Sequence, residues 1–202
     1  MDYGHELRRK AFHLSSLIFP LIYFVTSRLQ MTIIMMIVVA TTIYIDRMRH
    51  YNEAVKELVE TFFGSLLRER EASGTYVFSG LSFMMAGFFI TALFFPKGIA
   101  VASWLVLIIS DALAAIVGMR IGKPTNHGKS IEGAVTFFIS ALLIGIFSYF
   151  LTPHHASFFA LFLACLITSA VEYYSFQIGI DDNFTIPVTF ATTLTLFSWI
   201  IG

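Results

Sequence analysis

Charged residues and cysteine are both scarce in this chain of 202 residues. Asp, Glu, Lys and Arg make up only 13%, and 13 basic residues balance 13 acidic ones to give a formal net charge of zero. A neutral chain lacks the basic surplus with which proteins bind nucleic acid, so we expect no nucleic-acid partner. The single cysteine, Cys165, lies inside an apolar stretch, which excludes a disulfide framework and a thiolate metal site.

Apolar residues predominate in the sequence. They make up 57% of the chain, and the mean hydropathy of +0.78 lies outside the range of soluble globular proteins. The length suits one compact bundle, so we expect residues 1–202 to form a single transmembrane catalytic domain. The first ten residues are charged, and the apolar run after them lacks a small-residue cleavage site, so we expect this first span to be retained.

Seven apolar stretches are each near the ~17–25 residues that a membrane-spanning helix needs. They cover residues 11–27, 30–45, 76–95, 98–119, 133–151, 157–178 and 185–201. Pro20 falls inside the first stretch, where neighbouring helices can absorb a kink. The sequence therefore predicts an all-α, polytopic integral membrane bundle of about seven transmembrane helices.

The longest polar segment, about 51–69, contains a helical repeat of apolar residues. Acidic and basic side chains lie on the opposite side of this helix. The apolar residues are Val55, Leu58, Val59, Phe62, Phe63, Leu66 and Leu67. This pattern predicts an amphipathic helix in the plane of the membrane interface, either as a structural belt or as a gate for lipid entry.

Positive charge is distributed unevenly over the segments between the apolar stretches. With the N-terminus inside, the opposite side holds only Arg28 and Lys97. The eleven on the cytoplasmic side are Arg8, Arg9, Lys10, Arg47, Arg49, Lys56, Arg68, Arg70, Arg120, Lys123 and Lys129. Because positive charge is retained inside, this bias predicts a cytoplasmic N-terminus and a C-terminus on the outside.

A carboxylate within the fourth apolar stretch is the most informative single residue. A charged group at membrane depth is costly, so Asp111 is expected to face a protein interior or a wet cavity. Asp111, Gly118 and Gly122 lie on one helix face. That face leads to a polar turn whose basic residues are Arg120, Lys123 and Lys129. A buried acid followed by such a turn predicts a site for a metal and phosphates at the membrane surface.

The turn from Gly122 to Ser130 has the composition of a P-loop but not its spacing. Gly122 and Gly128 enclose five residues instead of four, and a membrane helix precedes them instead of a strand, which excludes a literal P-loop. Glycines can still let backbone N–H groups approach a phosphate, and Ser130 begins a helix whose N-terminus favours an anion. Gly118-x-x-x-Gly122 also matches the small-residue motif for helix packing.

Further polar groups fall on the predicted cytoplasmic side. They are Arg9-Lys10-x-x-His13, Arg68/Arg70/Glu71 and Asp181-Asp182-Asn183. Simpler interpretations exist for some of them: snorkelling anchors for the basic pair, a packing residue for the histidine, and a helix-capping turn for the aspartates. Glu172 lies within an apolar stretch, as Asp111 does, and this favours a functional role.

Taken in order, these motifs resemble the dolichol, phytol and CTP-dependent diacylglycerol kinases, a family related to the phosphatidate cytidylyltransferases. The resemblance runs over almost the whole chain. It rests on Arg9-Lys10-x-x-His13, Asp111-x-x-Ala114-x-x-x-Gly118-x-x-x-Gly122-Lys123, Lys129-Ser130-x-Glu132-Gly133, and Glu172 followed by Asp182-Asn183-x-x-x-Pro187.

The resemblance implies a polytopic membrane enzyme that moves the γ-phosphate of CTP, with a divalent metal, onto the hydroxyl of a lipid alcohol. It also implies that four residues are important for activity, namely Arg9, Lys10, Asp111 and Gly118. The chain is shorter than the eukaryotic dolichol kinases, so polyprenol or dolichol, phytol and diacylglycerol all remain open as substrates, and ATP remains open as donor.

The residues and the resemblance agree on phosphoryl transfer, which requires positioning and charge neutralisation. Asp111 and Asp182 are the expected ligands of Mg²⁺ or another divalent cation, because hard cations prefer carboxylate oxygen. Glu172 or His13 would accept the proton of the alcohol. The expected nucleotide- and phosphate-binding residues are Arg9, Lys10, Gly118, Arg120, Gly122, Lys123, Lys129 and Ser130.

The expected partners are a nucleoside triphosphate from the cytoplasm and a lipid alcohol that enters sideways between helices; the oligomeric state stays open. Two other functions are weighed against this one. A CTP:phosphatidate cytidylyltransferase would carry a Gly-His-Gly-Gly-type acidic tail motif, which the chain lacks. An ion-coupled transporter would place polar residues through the depth of several spans, whereas here most lie near the cytoplasmic ends and no internal repeat is evident.

Overall fold

The structure of the protein is a computed structural model that describes residues 3–64, 78–123, 125, 129–151 and 157–201. These residues fold into helices joined by short connections, which confirms the all-helical class. The helices are α1 Tyr3–Ser15, α2 Ile18–Val25, α3 Arg28–Met48, α4 Glu53–Phe63, α5 Gly80–Phe94, α6 Lys97–Leu105, α7 Asp111–Ile121, α8 Ile131–Leu151, α9 Phe158–Tyr173, α10 Ser175–Ile178 and α11 Asp182–Ile201. A π-helical segment, Val106–Ser110, joins α6 to α7 without a break.

Three helical stretches are long and apolar enough to cross a membrane. They are Arg28–Met48, Lys97–Ile121 and Ile131–Phe150. Two shorter apolar helices, Gly80–Phe94 and Phe158–Tyr173, occupy two more of the seven predicted stretches. The number of seven transmembrane helices stays a prediction.

The first predicted span, 11–27, is divided between two helices. The chain turns at Ser16 and Leu17, where the Ser16 hydroxyl donates to the His13 carbonyl oxygen at 2.5 Å. Pro20 lies in the first turn of α2, and it has no N–H to offer the Ser16 carbonyl four residues earlier. That carbonyl instead accepts from the Phe19 N–H at 3.0 Å, so α1 ends before α2 begins.

The predicted interfacial helix is present as α4 over the part of 51–69 that the structure describes. The Asn52 side chain caps its N-terminus by accepting from the N–H groups of Ala54 and Val55. Leu58 and Phe62 are 59% and 69% exposed, so α4 keeps an uncovered apolar side. Leu66 and Leu67 lie outside the described residues, and the interfacial placement stays a prediction.

Aromatic side chains at the centre of the bundle form the core around Trp104. The Phe88 ring stacks on Trp104 with ring centroids 4.5 Å apart, and the Tyr23 ring lies at 5.3 Å. The Trp104 indole N–H donates to the Thr91 hydroxyl at 2.6 Å, so the polar atom of this fully buried residue is satisfied. Helices α2, α5 and α6 therefore meet at one packed cluster.

One end of the bundle is closed by its two basic residues, and we call it the Lys97 end. Arg28 donates to the carbonyl oxygens of Ala92 and Leu93 in the last turn of α5. Lys97 donates to the carbonyl oxygens of Phe24 and Thr26 at 3.1 and 3.0 Å. Cations at helix C-termini satisfy carbonyl groups that have no helical partner. Both charges at this end are thus used in tying helices together.

Candidate active site

Asp111 lies where the π-helical segment Val106–Ser110 passes into α7. Its exposed fraction is 3%, and it begins α7 inside the longest apolar stretch of the structure. A π-helical turn adds a residue to the turn and shifts the side chains that follow it, and such turns are frequent at functional sites. The sequence-predicted carboxylate is therefore an interior group, as its position in an apolar span required.

Lys10 is the direct partner of Asp111. The Lys10 ammonium group donates to Asp111 Oδ2 and joins positions 101 residues apart in the chain. Only 2% of Lys10 is exposed, so its side chain does not reach for the membrane surface as a snorkelling anchor does. Since α1 contributes Lys10 and α7 contributes Asp111, this pair fixes the N-terminal helix against the central one.

Glu6 and Arg9 extend the same group along α1. Arg9 donates from Nε and Nη2 to the two carboxylate oxygens of Glu6 at 2.9 and 2.6 Å, and Lys10 Nζ lies 3.9 Å from Glu6 Oε1. Burial alone would raise the pKa of Glu6, but the hydrogen bond and charge of Arg9 hold it below its usual value. Sequence reasoning did not select Glu6, although its spacing of three and four from the basic pair is the signal for such contacts.

Lys129 connects two further carboxylates. Its ammonium group lies 2.5 Å from Glu172 Oε1, at the end of α9, and 3.1 Å from Asp182 Oδ2, at the start of α11. Burial alone would lower the pKa of Lys129, but the charges of Asp182 and Glu172 raise it above its usual value, so the group stays protonated. One side chain of the polar turn therefore holds the ends of two helices together.

The two ion-paired groups form a single cluster. Asp111 interacts electrostatically with Asp182 and Lys129 as well as with Lys10 and His13. Residues from α1, α7, the turn before α8, α9 and α11 thus meet at one place, which we call the charged cluster. Its members are Glu6, Arg9, Lys10, His13, Asp111, Lys129, Glu172 and Asp182.

Several buried polar atoms in or beside the charged cluster have no hydrogen-bond partner. They include His13 Nε2, Ser110 Oγ and Asn183 Oδ1. His13 is only 6% exposed and Asn183 only 2%. Because buried polar atoms are normally paired, unpaired ones beside a charged group are places where a bound molecule finds partners. These three atoms offer acceptors for a hydroxyl group.

Gly118 and Gly133, on either side of the turn, allow α7 and α8 to pack closely. A Cβ atom on Gly118 would lie 3.0 Å from the Ser130 hydroxyl, and one on Gly133 would lie 3.0 Å from the Ala114 carbonyl oxygen. The Ser130 hydroxyl accepts from the Gly133 N–H at 3.0 Å at the start of α8. Close contact between α7 and α8 therefore accounts for the small residues, and a phosphate-binding role for Gly118, Gly122 and Ser130 stays a prediction.

Gly122→Ala is expected to destabilise the protein by roughly 1–3 kcal/mol, because its new methyl group would collide with the Ser130 side chain. The matched control is Gly64→Ala, since the nearest atom to a Cβ there is Glu60 Cβ at 3.9 Å. The free energy of unfolding of both variants, measured in detergent micelles, checks this. Equal stability of the two variants would contradict the packing role.

The remaining predicted basic residues lie at the surface. Arg120 and Lys123 are exposed near the end of α7, and the Lys123 N–H donates to Glu132 Oε2 at 3.2 Å. A phosphate-binding role for Arg120 and Lys123 stays a prediction. Gly128 and the group Arg68, Arg70 and Glu71 lie outside the described residues.

A divalent metal ion at Asp111 and Asp182 stays a prediction. Within the described ranges, no group of three or more His, Cys, Asp and Glu side chains could hold a metal ion by itself. Asp111 and Asp182 each have a lysine ammonium group as partner instead. Mg²⁺ is usually bound through one or two carboxylates together with substrate phosphates, so two carboxylates are the number of protein ligands expected at such a site.

Known proteins match the chain over nearly its full length. An uncharacterized protein of Rickettsia prowazekii is 42% identical over 99% of this chain and 98% of its own length. An uncharacterized protein of Methanocaldococcus jannaschii is 30% identical over 90% of this chain and 88% of its own length. No protein-family model and no solved structure matches the chain.

More distant homologues include proteins whose names state an activity. The CTP-dependent diacylglycerol kinase 1 of Schizosaccharomyces pombe is 29% identical over 95% of this chain and 93% of its own length. The similarity therefore covers almost the entire chain.

Proposed function

We propose that this chain, which belongs to one family with the Rickettsia and Methanocaldococcus proteins, is a membrane lipid kinase. The proposal starts from the chain's distant homology to CTP-dependent diacylglycerol kinases. The protein transfers the γ-phosphate of CTP to the hydroxyl group of a lipid alcohol. The observation that carries the proposal is the charged cluster, in which Lys10–Asp111 and Lys129–Glu172–Asp182 meet inside an apolar helical bundle. Phosphoryl transfer requires this kind of fixed charge array.

The charge balance of the cluster supports a metal-bound nucleotide. Four carboxylates, Glu6, Asp111, Glu172 and Asp182, face three cations, Arg9, Lys10 and Lys129, which leaves one negative charge when His13 is neutral. A triphosphate brings several more negative charges, so it needs added positive charge to bind. Asp111 and Asp182 would hold Mg²⁺, which supplies that charge. Lys123 and Arg120 are exposed, and we propose that they contact the phosphates from the solvent side.

His13 is the better candidate for accepting the proton of the alcohol. Glu172, the other candidate, has its carboxylate 2.5 Å from the Lys129 ammonium group. His13 Nε2 is buried and has no hydrogen-bond partner, so a neutral imidazole protonated on Nδ1 offers a free acceptor there. The Asn183 side-chain oxygen is a second acceptor that can orient the hydroxyl group.

Diacylglycerol is the proposed acceptor among the lipid alcohols, because the homologues with a named activity are diacylglycerol kinases. A glycerolipid enters from the bilayer with its acyl chains between helices and its free hydroxyl toward the charged cluster. CTP is the proposed donor on the same ground. Polyprenol, phytol and ATP are the comparison substrates that a test must include.

The proposed catalytic face is cytoplasmic, with the N-terminus inside and the C-terminus outside. Eleven positive charges against two support this orientation. A cysteine placed at Lys123 should react with a membrane-impermeant maleimide only from the inside. A cysteine placed at His154 should react only from the outside. The native Cys165 is buried and gives little background. Labelling of position 154 from the inside would contradict this topology.

The activity is tested with the purified full chain, Mg²⁺, CTP or ATP, and a panel of diacylglycerol, phytol and polyprenol. We expect CDP and a lipid phosphate in equal amounts, with diacylglycerol and CTP as the preferred pair. Release of pyrophosphate would identify a cytidylyltransferase instead. Absence of turnover with every alcohol would contradict the proposal.

A further inference from the structure

A second buried polar group, separate from the charged cluster, joins the end of α3 to the start of α5. Asp46 is 5% exposed, and its Oδ2 accepts three hydrogen bonds: from the Ser79 N–H at 2.7 Å, the Ser79 hydroxyl at 2.8 Å and the Ser82 hydroxyl at 2.6 Å. These bonds hold the two antiparallel helices together. They also hold the Asp46 carboxylate against Ser79 and Ser82.

Arg49, one turn further along, forms an ion pair with Asp46 but no hydrogen bond to it. It is 6% exposed, and the shortest approach of its guanidinium to Asp46 is 3.6 Å, from Nε to Oδ1, beyond hydrogen-bonding distance. Its Nε and Nη2 atoms are buried and have no hydrogen-bond partner. Neighbouring N–H groups of a guanidinium can donate together to two oxygens of one anion, and phosphate is such an anion.

The position of Arg49 indicates where the phosphate comes from. Helix α3 runs away from the Lys97 end, since Arg28 binds the last turn of α5 and Asp46 binds its first turn. Exposed apolar and aromatic residues lie near Arg49 in the chain: in α3, Tyr44 is 63% and Ile45 39% exposed, and in the turn after it Tyr51 is 78% exposed. A phosphate that reaches Arg49 past such a surface belongs to a lipid, and tyrosines are frequent at the depth of headgroups.

From these contacts we propose that Arg49, oriented by Asp46, binds the phosphate of a phospholipid headgroup. The site is a structural and recognition site of the fold, and it does not depend on the proposed kinase activity. No residue of the charged cluster takes part in it. Bound phospholipid completes the hydrogen bonding of Arg49 and fills the apolar surface at the end of α3.

The test is a titration of the full chain in detergent micelles with phosphatidylglycerol, followed by native mass spectrometry, which counts bound lipids by mass. Arg49→Gln should bind the first phosphatidylglycerol roughly 10- to 100-fold more weakly, the scale of a lost charge-assisted hydrogen bond. The matched control is Arg47→Gln, which removes the same charge from an exposed position of the same turn and should bind as the wild type does. A glucosyl diacylglycerol, which has no phosphate, should bind all three proteins equally.

Other outcomes would overturn the proposal. Equal weakening in both variants would mean that only general surface charge matters. Displacement of the lipid by millimolar inorganic phosphate would make free phosphate the ligand, and displacement by CTP would make Arg49 part of the nucleotide site. If Arg49→Gln does not fold, the test compares the affinities of the wild-type protein for phosphatidylglycerol and for the glucosyl lipid. Equal affinities would refute phosphate recognition.

Discussion

Asp111→Asn is expected to lower the rate of phosphotransfer at least about a hundredfold and to destabilise the fold by about 3–5 kcal/mol. The rate falls because the amide cannot supply the negative charge that holds the metal. The stability falls because the Lys10 ammonium loses its direct partner while it remains 98% buried, and its next carboxylate, Glu6, is 3.9 Å away. Rate and free energy of unfolding are measured on one preparation in detergent.

A double variant separates the two effects of Asp111. Lys10→Met combined with Asp111→Asn removes both buried charges, so most of the lost stability should return, because replacing both members of a buried pair is far less costly than removing one. The rate should stay low. An Asp111→Asn protein that keeps its activity would contradict the metal-ligand role. One that loses no stability would contradict the Lys10–Asp111 pair.

Lys129→Met is expected to destabilise the protein by roughly 3 kcal/mol, the lower end for a broken buried ion pair, because the Lys129 side chain is 26% exposed. Its removal leaves Glu172 and Asp182 facing each other without the cation that lies between them. Nucleotide affinity should fall as well, since one charge near the phosphates is lost. Isothermal titration with CTP and an unfolding titration measure the two effects.

The controls for Lys129 use the same kinds of side chain elsewhere. Lys56 forms an exposed ion pair with Glu53 at 3.0 Å, so Lys56→Met should leave the free energy of unfolding nearly unchanged. Adding Glu172→Gln to Lys129→Met should recover part of the stability, because one of the two carboxylates that faced Lys129 is then neutral. If Lys129→Met is as stable as Lys56→Met, Lys129 does not hold α9 and α11 together.

The sequence indicated two buried carboxylates, because charge within an apolar stretch is easy to recognise. Asp111 and Glu172 were selected on that ground, and both are buried in the structure. The helical class and most helix bounds follow from the apolar stretches in the same way. Gly118-x-x-x-Gly122 was recognised as a packing motif, and its contact with Ser130 agrees with that interpretation.

The pairings between distant residues could not be predicted from one sequence. Lys10 and Asp111 are 101 positions apart, and no local pattern states that they are partners. The predicted first span is divided after Ser15. Pro20 has no N–H to donate to the Ser16 carbonyl, and that carbonyl accepts from the Phe19 N–H within the turn instead. Asp46 was not selected from the sequence, because its burial depends on contacts with Ser79 and Ser82 at the start of α5.

The most direct test of the proposed lipid kinase activity follows the label from two forms of CTP into lipid. The purified chain is incubated with Mg²⁺, diacylglycerol and CTP that is labelled either at the γ-phosphate or at the α-phosphate, and the lipids are then extracted. The account predicts that lipid acquires the γ label and none of the α label, and that Asp111→Asn abolishes the transfer. Appearance of the α label in lipid, or of neither label with any lipid alcohol, would contradict it.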